Sequence, residues 1–259
     1  LSPALAAVLF AAVPLSLIIA LDALGAAFAI SFLLLARLPA LRTGEERAPF
    51  RLLDDCQAGY ALLRSQGWLW QLCLICGIFS VAVVPVSSLF PLMCMSYFGG
   101  TAVSASVVET AYSLGMLAGS LLLGLWGGTR NKMTAMTAAL FCMGGCLLAV
   151  GGLSPAAFVA FTGLALGMGL SSPFFNSMFT ALIQEKVEGG YLGRVLGLTS
   201  AVMTLAGPIG LAATALFAEK VGLARWFALS GVLTALCGVL CLALPAVRRC
   251  DGAKEKKEM

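Results

Sequence analysis

The chain has 259 residues, 60% of them hydrophobic and 11% charged, with a net charge of +4 and a mean hydropathy of +0.99. Soluble domains are about half apolar and about a quarter charged, so this surface cannot be hidden inside one water-facing globule, and a lipid bilayer is the solvent that accommodates it. The basic residues sit in short clusters between apolar runs, which points away from nucleic acid, and the lack of histidine removes His-based metal sites, Ser-His-Asp triads and imidazole proton shuttles.

In chain order, residues 1–13 are apolar but supply only about half of a membrane span. Pro14 marks a turn, and 15–37 spans, with Asp22 inside it. No charged n-region precedes the opening run, so it is not a secretory signal. It reads as a helix entered part-way, and the chain is expected to be a piece of a longer protein. The one long polar interval, 38–67, sets Arg42, Arg47, Arg51 and Arg64 against Glu45, Glu46, Asp54 and Asp55. Within it Pro49 suits a first helical position, and Phe50, Leu52, Leu53, Cys56, Tyr60 and Leu63 recur near helical spacing. This predicts an amphipathic helix lying on the membrane surface.

Residues 68–90 form the next span and 91–104 a turn; 105–126 returns, carrying Glu109. A tight basic turn at 127–132 follows. Residues 133–150 and 156–180 make a hairpin around 151–155, and 181–194 reads as a polar loop. Residues 195–217 and 223–247 make the last hairpin, before a charged tail at 248–259. The result is seven full spans and a partial one. If the connector is cytosolic, alternation puts all of the 16 Lys and Arg except Lys220 and Arg225 on the inner side. That is a strong positive-inside asymmetry.

No phosphate loop, G-x-S-x-G elbow or dinucleotide fingerprint is present. Gly124-Leu-Trp-Gly-Gly-Thr-Arg-Asn-Lys132 is glycine-rich but lacks the G-K-[ST] ending. Cys73-x-x-Cys76 has redox or zinc spacing, but its Leu, Ile and Trp neighbours make it a pair of small apolar packing residues.

The first hairpin echoes the last. Ser2-Pro-Ala-Leu-Ala-Ala-Val-Leu-Phe10 matches Gly207-Pro-Ile-Gly-Leu-Ala-Ala-Thr-Ala-Leu-Phe217, and Leu38-Pro39-Ala40-Leu41-Arg42 matches Leu244-Pro245-Ala246-Val247-Arg248, at offsets of 205 and 206. A repeat of that length predicts two six-helix halves and roughly 140 residues, about four helices, ahead of Leu1.

Ala181-Leu-Ile-Gln-Glu-Lys-Val-Glu-Gly-Gly-Tyr-Leu-Gly-Arg-Val195 resembles the loop before the penultimate helix in the macrolide-efflux-like branch of the major facilitator superfamily. Asn176-Ser177, Gly207-Pro208, the glycine-rich turn after the Glu109 helix, and Asp54…Gly59-Tyr60…Leu63-Arg64 fit the same pattern. The resemblance implies an all-α integral membrane fold: a C-terminal six-helix half, 68–247, plus about one and a half helices of the N-terminal half, 1–37. These are joined by the cytosolic connector 38–67 and followed by the cytosolic tail. It implies a secondary transporter of the cell inner membrane, not an enzyme and without cofactor, that exports lipophilic small molecules such as macrolides by proton antiport with alternating access. Its partners would be the bilayer, the substrate, protons and the N-terminal half of the same protein. Siderophore export is the alternative substrate class, and a non-transporting remnant or membrane interaction module the alternative function. The superfamily's basic-turn motif is decayed here, with Gly128 in place of its Asp.

Four groups of candidates follow. Glu109 exchanges a proton or binds a cationic substrate, unless it simply reaches headgroup water; Asp22 lines the cavity or hydrogen-bonds a neighbouring helix. Asn176 is a further substrate candidate, with interhelix hydrogen bonding as its plainer account, and Met116, Phe174, Phe175 and Met203 offer apolar contacts. Arg194 with Glu185 and Glu188, and the basic pair Arg130 and Lys132, are gating candidates, against a solvated loop with no coupling. Gly207, Pro208 and Gly210 bend their helix, and Gly115-x-x-x-Gly119 and Gly163-x-x-x-Gly167 permit close helix approach.

Overall fold

Apolar runs of this length can leave water only if each backbone N–H and C=O is bonded within its own segment, and the helix is the solution open to a single segment. The structure, a computed structural model, describes residues 15–35, 60–61, 63–126, 131–187 and 189–243, and every regular element in them is helical. The chain divides into two compact units, 1–51 and 52–259.

The first unit contributes α1, Leu15–Leu35, which holds Asp22 within its length. Leu24, Phe28 and Phe32 on it are exposed, and the Ser31 hydroxyl donates back to the Ala27 carbonyl at 2.8 Å.

The second unit holds α2 (Gly67–Leu92), which runs on into a π-helical turn, Met93–Tyr97. Then come α3 (Ala102–Trp126), α4 (Lys132–Gly151), α5 (Phe158–Lys186), α6 (Gly189–Val221) and α7 (Leu223–Ala243). All six are long and apolar enough to cross a membrane. At about 1.5 Å per residue, α4 and α7 match a hydrocarbon core of about 30 Å, whereas the longer α5 and α6 must tilt or project beyond it. Gly222, at φ +89°, makes the single-residue turn between α6 and α7 that a side chain would strain.

The polar loop expected at 181–194 is not a loop. α5 continues to Lys186 and α6 starts at Gly189. Gln184, Glu185, Tyr191 and Arg194 are exposed residues on helix ends. Polarity there marks where apolar surroundings stop, not where the helix stops. The turn expected at 91–104 is likewise shortened by the π-turn and by α3 beginning at Ala102. The connector up to Gly59, the repeat landmarks Pro3, Leu38-Pro39 and Leu244-Pro245, and the charged tail lie outside the described residues. Tyr60, Ala61 and Leu63 to Ser65 are helical, with Leu63 buried and Tyr60 and Arg64 exposed.

Within the second unit α3 packs on α5, α4 on α5 and α7, and α2 on α6 and α7; α6 touches α5 and α7 only lightly. Leu72, Cys76, Leu140, Leu147, Phe161 and Phe227 are fully enclosed between these helices. The seams are made by absent side chains. A methyl group on Gly115 or Gly119 would strike the carbonyl of Leu166 or Leu170, and one on Gly169 the carbonyl of Tyr112, so α3 and α5 meet backbone to backbone. On the opposite edge of α3, Leu114, Leu117, Leu121 and Leu125 are exposed. Gly144 faces Gly231 and Ala235 across α4 and α7, and a Cβ on Gly210 would lie 2.6 Å from the Val81 carbonyl of α2. Gly163, paired with Gly167 in the sequence reading, looks onto open space instead.

Gly169→Ala should therefore lower stability by about 1–3 kcal/mol through overpacking. Gly163→Ala should leave it unchanged. Melting of the purified variants, followed by loss of the monodisperse peak on heating, measures both.

Candidate functional site

Glu109 sits about two turns inside the start of α3 and is half-buried. One turn further along α3, the Tyr112 ring meets Phe90 edge-on, with centroids 5.7 Å apart. Glu109 thus precedes by one turn the residue that joins α3 to a packed aromatic layer. Asp22, on α1, belongs to the other compact unit.

Among the described residues, Asn176 bonds within its own helix and not across helices. Its Nδ2 donates to the Ser172 carbonyl at 3.0 Å and lies 3.4 Å from the Ser172 hydroxyl, one turn back on α5. The residue is exposed beside the exposed Ser177, so α5 presents a small polar face there. Phe175, one residue earlier, is 1% exposed and packs between Phe79, at 4.1 Å between centroids, and Phe179, at 6.3 Å. It is core and cannot meet a substrate in this conformation. Phe174 and Met203 are half-buried, and Met116 is exposed.

At one end of the bundle the Lys132 ammonium, at the start of α4, donates to the Glu185 carboxylate near the end of α5. Lys132, expected to gate beside Arg130, is thereby paired with Glu185, which was expected to act with Arg194. Arg194 is exposed in the second turn of α6, and Arg130 and Glu188 lie outside the described residues. The pair forms because adjacent antiparallel helices bring the first residue of one beside the last turn of the other.

Gly207, Pro208 and Gly210 lie in the middle of α6. Pro208 has no N–H to give to the carbonyl one turn back. The Thr214 hydroxyl donates to the Gly210 carbonyl at 2.8 Å, the one-turn-back bond that hydroxyls also make on α3, α4, α5 and α7. Pro208 thus leaves one ladder bond unmade two residues before Gly210, where α6 comes hard against α2.

Cys73 and Cys76 are buried in α2, and no group of three or more potential metal ligands occurs among the described residues. Two polar atoms were missed in the sequence. Gln71 Oε1 and Trp226 Nε1 are buried without a hydrogen-bond partner. A lone amide inside the apolar run of α2 was the available signal for the first. Also missed was Tyr97, whose hydroxyl donates to the Leu153 carbonyl at 2.6 Å.

Residues 82–259 match the family model of the Major Facilitator Superfamily. The chain is 40% identical over 250 residues to macrolide efflux protein A of Streptococcus pyogenes, an alignment covering 96% of this chain and 62% of that protein. It is 41% identical over 210 residues to macrolide efflux protein A of Enterococcus faecalis, covering 81% of this chain and 65% of that protein. A third relative is an uncharacterised MFS-type transporter of Bacillus subtilis strain 168, 29% identical over 154 residues, or 58% of this chain and 33% of the relative. This chain therefore spans less than two thirds of the length of each. With six membrane-length helices among the described residues and this family match over residues 82–259, the chain belongs to the Major Facilitator Superfamily and is a multi-pass membrane chain.

Proposed function

We propose that the chain is part of an exporter of lipophilic small molecules of the macrolide kind, driven by proton antiport and working by alternating access. The observation that carries this reading is 40% identity over 96% of the chain to a macrolide efflux protein. In this reading the six-helix bundle contributes one side of the substrate path. The connector and the tail face the cytosol of a plasma-membrane protein, which the distribution of Lys and Arg supports.

In this reading Glu109 is the proton-exchanging group. A carboxylate inside a span costs roughly 2.5–3.5 kcal/mol on insertion scales, and a site that must load and release a proton gives it a use. Asp22 is a second candidate on α1. Asn176, with Ser172 and Ser177, offers the polar face of α5 to substrate. The Lys132–Glu185 pair, with Arg194 and Arg130 nearby in sequence, forms the cytosolic gating cluster. Gly207, Pro208 and Gly210 supply the bend in α6.

Cells producing the intact protein should accumulate less labelled macrolide than control cells, and a protonophore should remove the difference. Equal accumulation with and without the protein would end the efflux reading. Glu109→Gln should bring export to the control level with normal membrane abundance; unchanged export and unchanged pH dependence would exclude it as the proton site. Lys132→Glu and Glu185→Lys should each slow export, and the double charge swap should recover part of it. For so exposed a pair the coupling should be only about 0.2–1 kcal/mol.

A further inference from the structure

At the end of the bundle opposite Lys132, aromatic rings from four helices meet. Phe90 of α2 touches Tyr112 of α3, Phe161 of α5 and Phe227 of α7, with centroids 5.7, 6.0 and 6.2 Å away. Phe161 and Phe227 also meet edge-on at 6.3 Å.

The π-turn that ends α2 adds two more rings to this layer. A π-turn inserts one extra residue, which rotates the side chains that follow it. Tyr97 and Phe98 thereby face the turn between α4 and α5. Phe98 stacks on Phe161 at 5.0 Å and meets Phe158 edge-on at 5.9 Å. The Tyr97 ring stands edge-on to Phe98 at 5.1 Å, while its hydroxyl holds the Leu153 carbonyl at 2.6 Å. Gly99, at φ +65°, then turns the chain away, and the Gly100 N–H closes the turn on the Cys94 carbonyl at 2.9 Å.

No ring of α6 joins this network. Phe217, towards the same end of α6, is exposed. α6 instead meets α2 through Gly210 on Val81 and Pro85, with looser approaches at Gly207 and Gly77.

We infer that Tyr97 and Phe98 are a brace that fixes the tip of α2 to the α4–α5 turn. This end of the bundle then moves as one block, and α6 is the helix left outside it. Any opening on this side comes from displacement of the whole block or of α6, not from the tip of α2 swinging outward. The inference holds whatever the cargo.

Two measurements on the intact protein in lipid nanodiscs test it. In hydrogen–deuterium exchange, Tyr97→Phe removes only the hydroxyl, and it should speed exchange of the amides in both 93–98 and 151–158 by about fivefold, the factor expected for one lost hydrogen bond. Phe98→Leu should do the same, and Ser120→Ala on the α3 surface should change neither segment. Unchanged exchange at both segments in Tyr97→Phe and Phe98→Leu would overturn the brace. Separately, Phe98→Cys and Phe158→Cys joined by a short bismaleimide should leave export of a labelled macrolide at the uncrosslinked rate. Arrest of export on cross-linking would mean that the tip of α2 must part from α5, and the inference would fail. The exchange measurement reads the brace independently, so loss of the efflux reading and loss of the brace can be told apart.

Discussion

Lipid tails are as apolar as leucine, so burial of greasy side chains does little to draw one membrane helix to another; packing has to do it. In this chain the packing runs through glycine. Gly115, Gly119 and Gly169 let α3 and α5 touch along their backbones, Gly144 and Gly231 do so for α4 and α7, and Gly210 does so for α6 against α2. The other arrangements rest on these contacts. The aromatic layer closes because α2, α3, α5 and α7 stand near enough for their rings to meet. Lys132 reaches Glu185 because α4 and α5 lie side by side.

The contacts also differ in number from seam to seam. α3 and α5 share three such glycines, whereas a single one brings α6 hard against α2. α6 also carries a proline there, Pro208, which cannot give an N–H to the carbonyl one turn back. Of the bundle's helices, α6 is thus the one tied to its main neighbour by the fewest such contacts.

Much of this was legible in the sequence, because in a membrane the main signal is simple. Uninterrupted apolar stretches fixed the location of all six helices of the bundle, and Gly115-x-x-x-Gly119 announced a close contact. What misled was polarity near Glu185 and Arg194, which looks like a loop in any hydropathy reading although the backbone stays helical. Spacing misled as well: Gly163 and Gly167 have the same four-residue interval as Gly115 and Gly119, but Gly163 lies where no helix approaches. Partnerships were the least legible. Glu185 and Lys132 are 53 residues apart, and Tyr97 and Leu153 are 56, and nothing local to either pair identifies the other member. Glu109 was visible as a carboxylate in an oily run, but the π-turn at 93–97 was not signalled by its residues.

The two edges of α3 carry different histories forward. Along Leu114, Leu117, Leu121 and Leu125, nothing among the described residues encloses the side chain, so there one bulky apolar residue can replace another. At Gly115 and Gly119 every codon change that alters the residue adds at least one carbon where a carbonyl already stands. Drift in this lineage should therefore accumulate on one flank of the helix and be erased from the other, so that α3 keeps time on one side only.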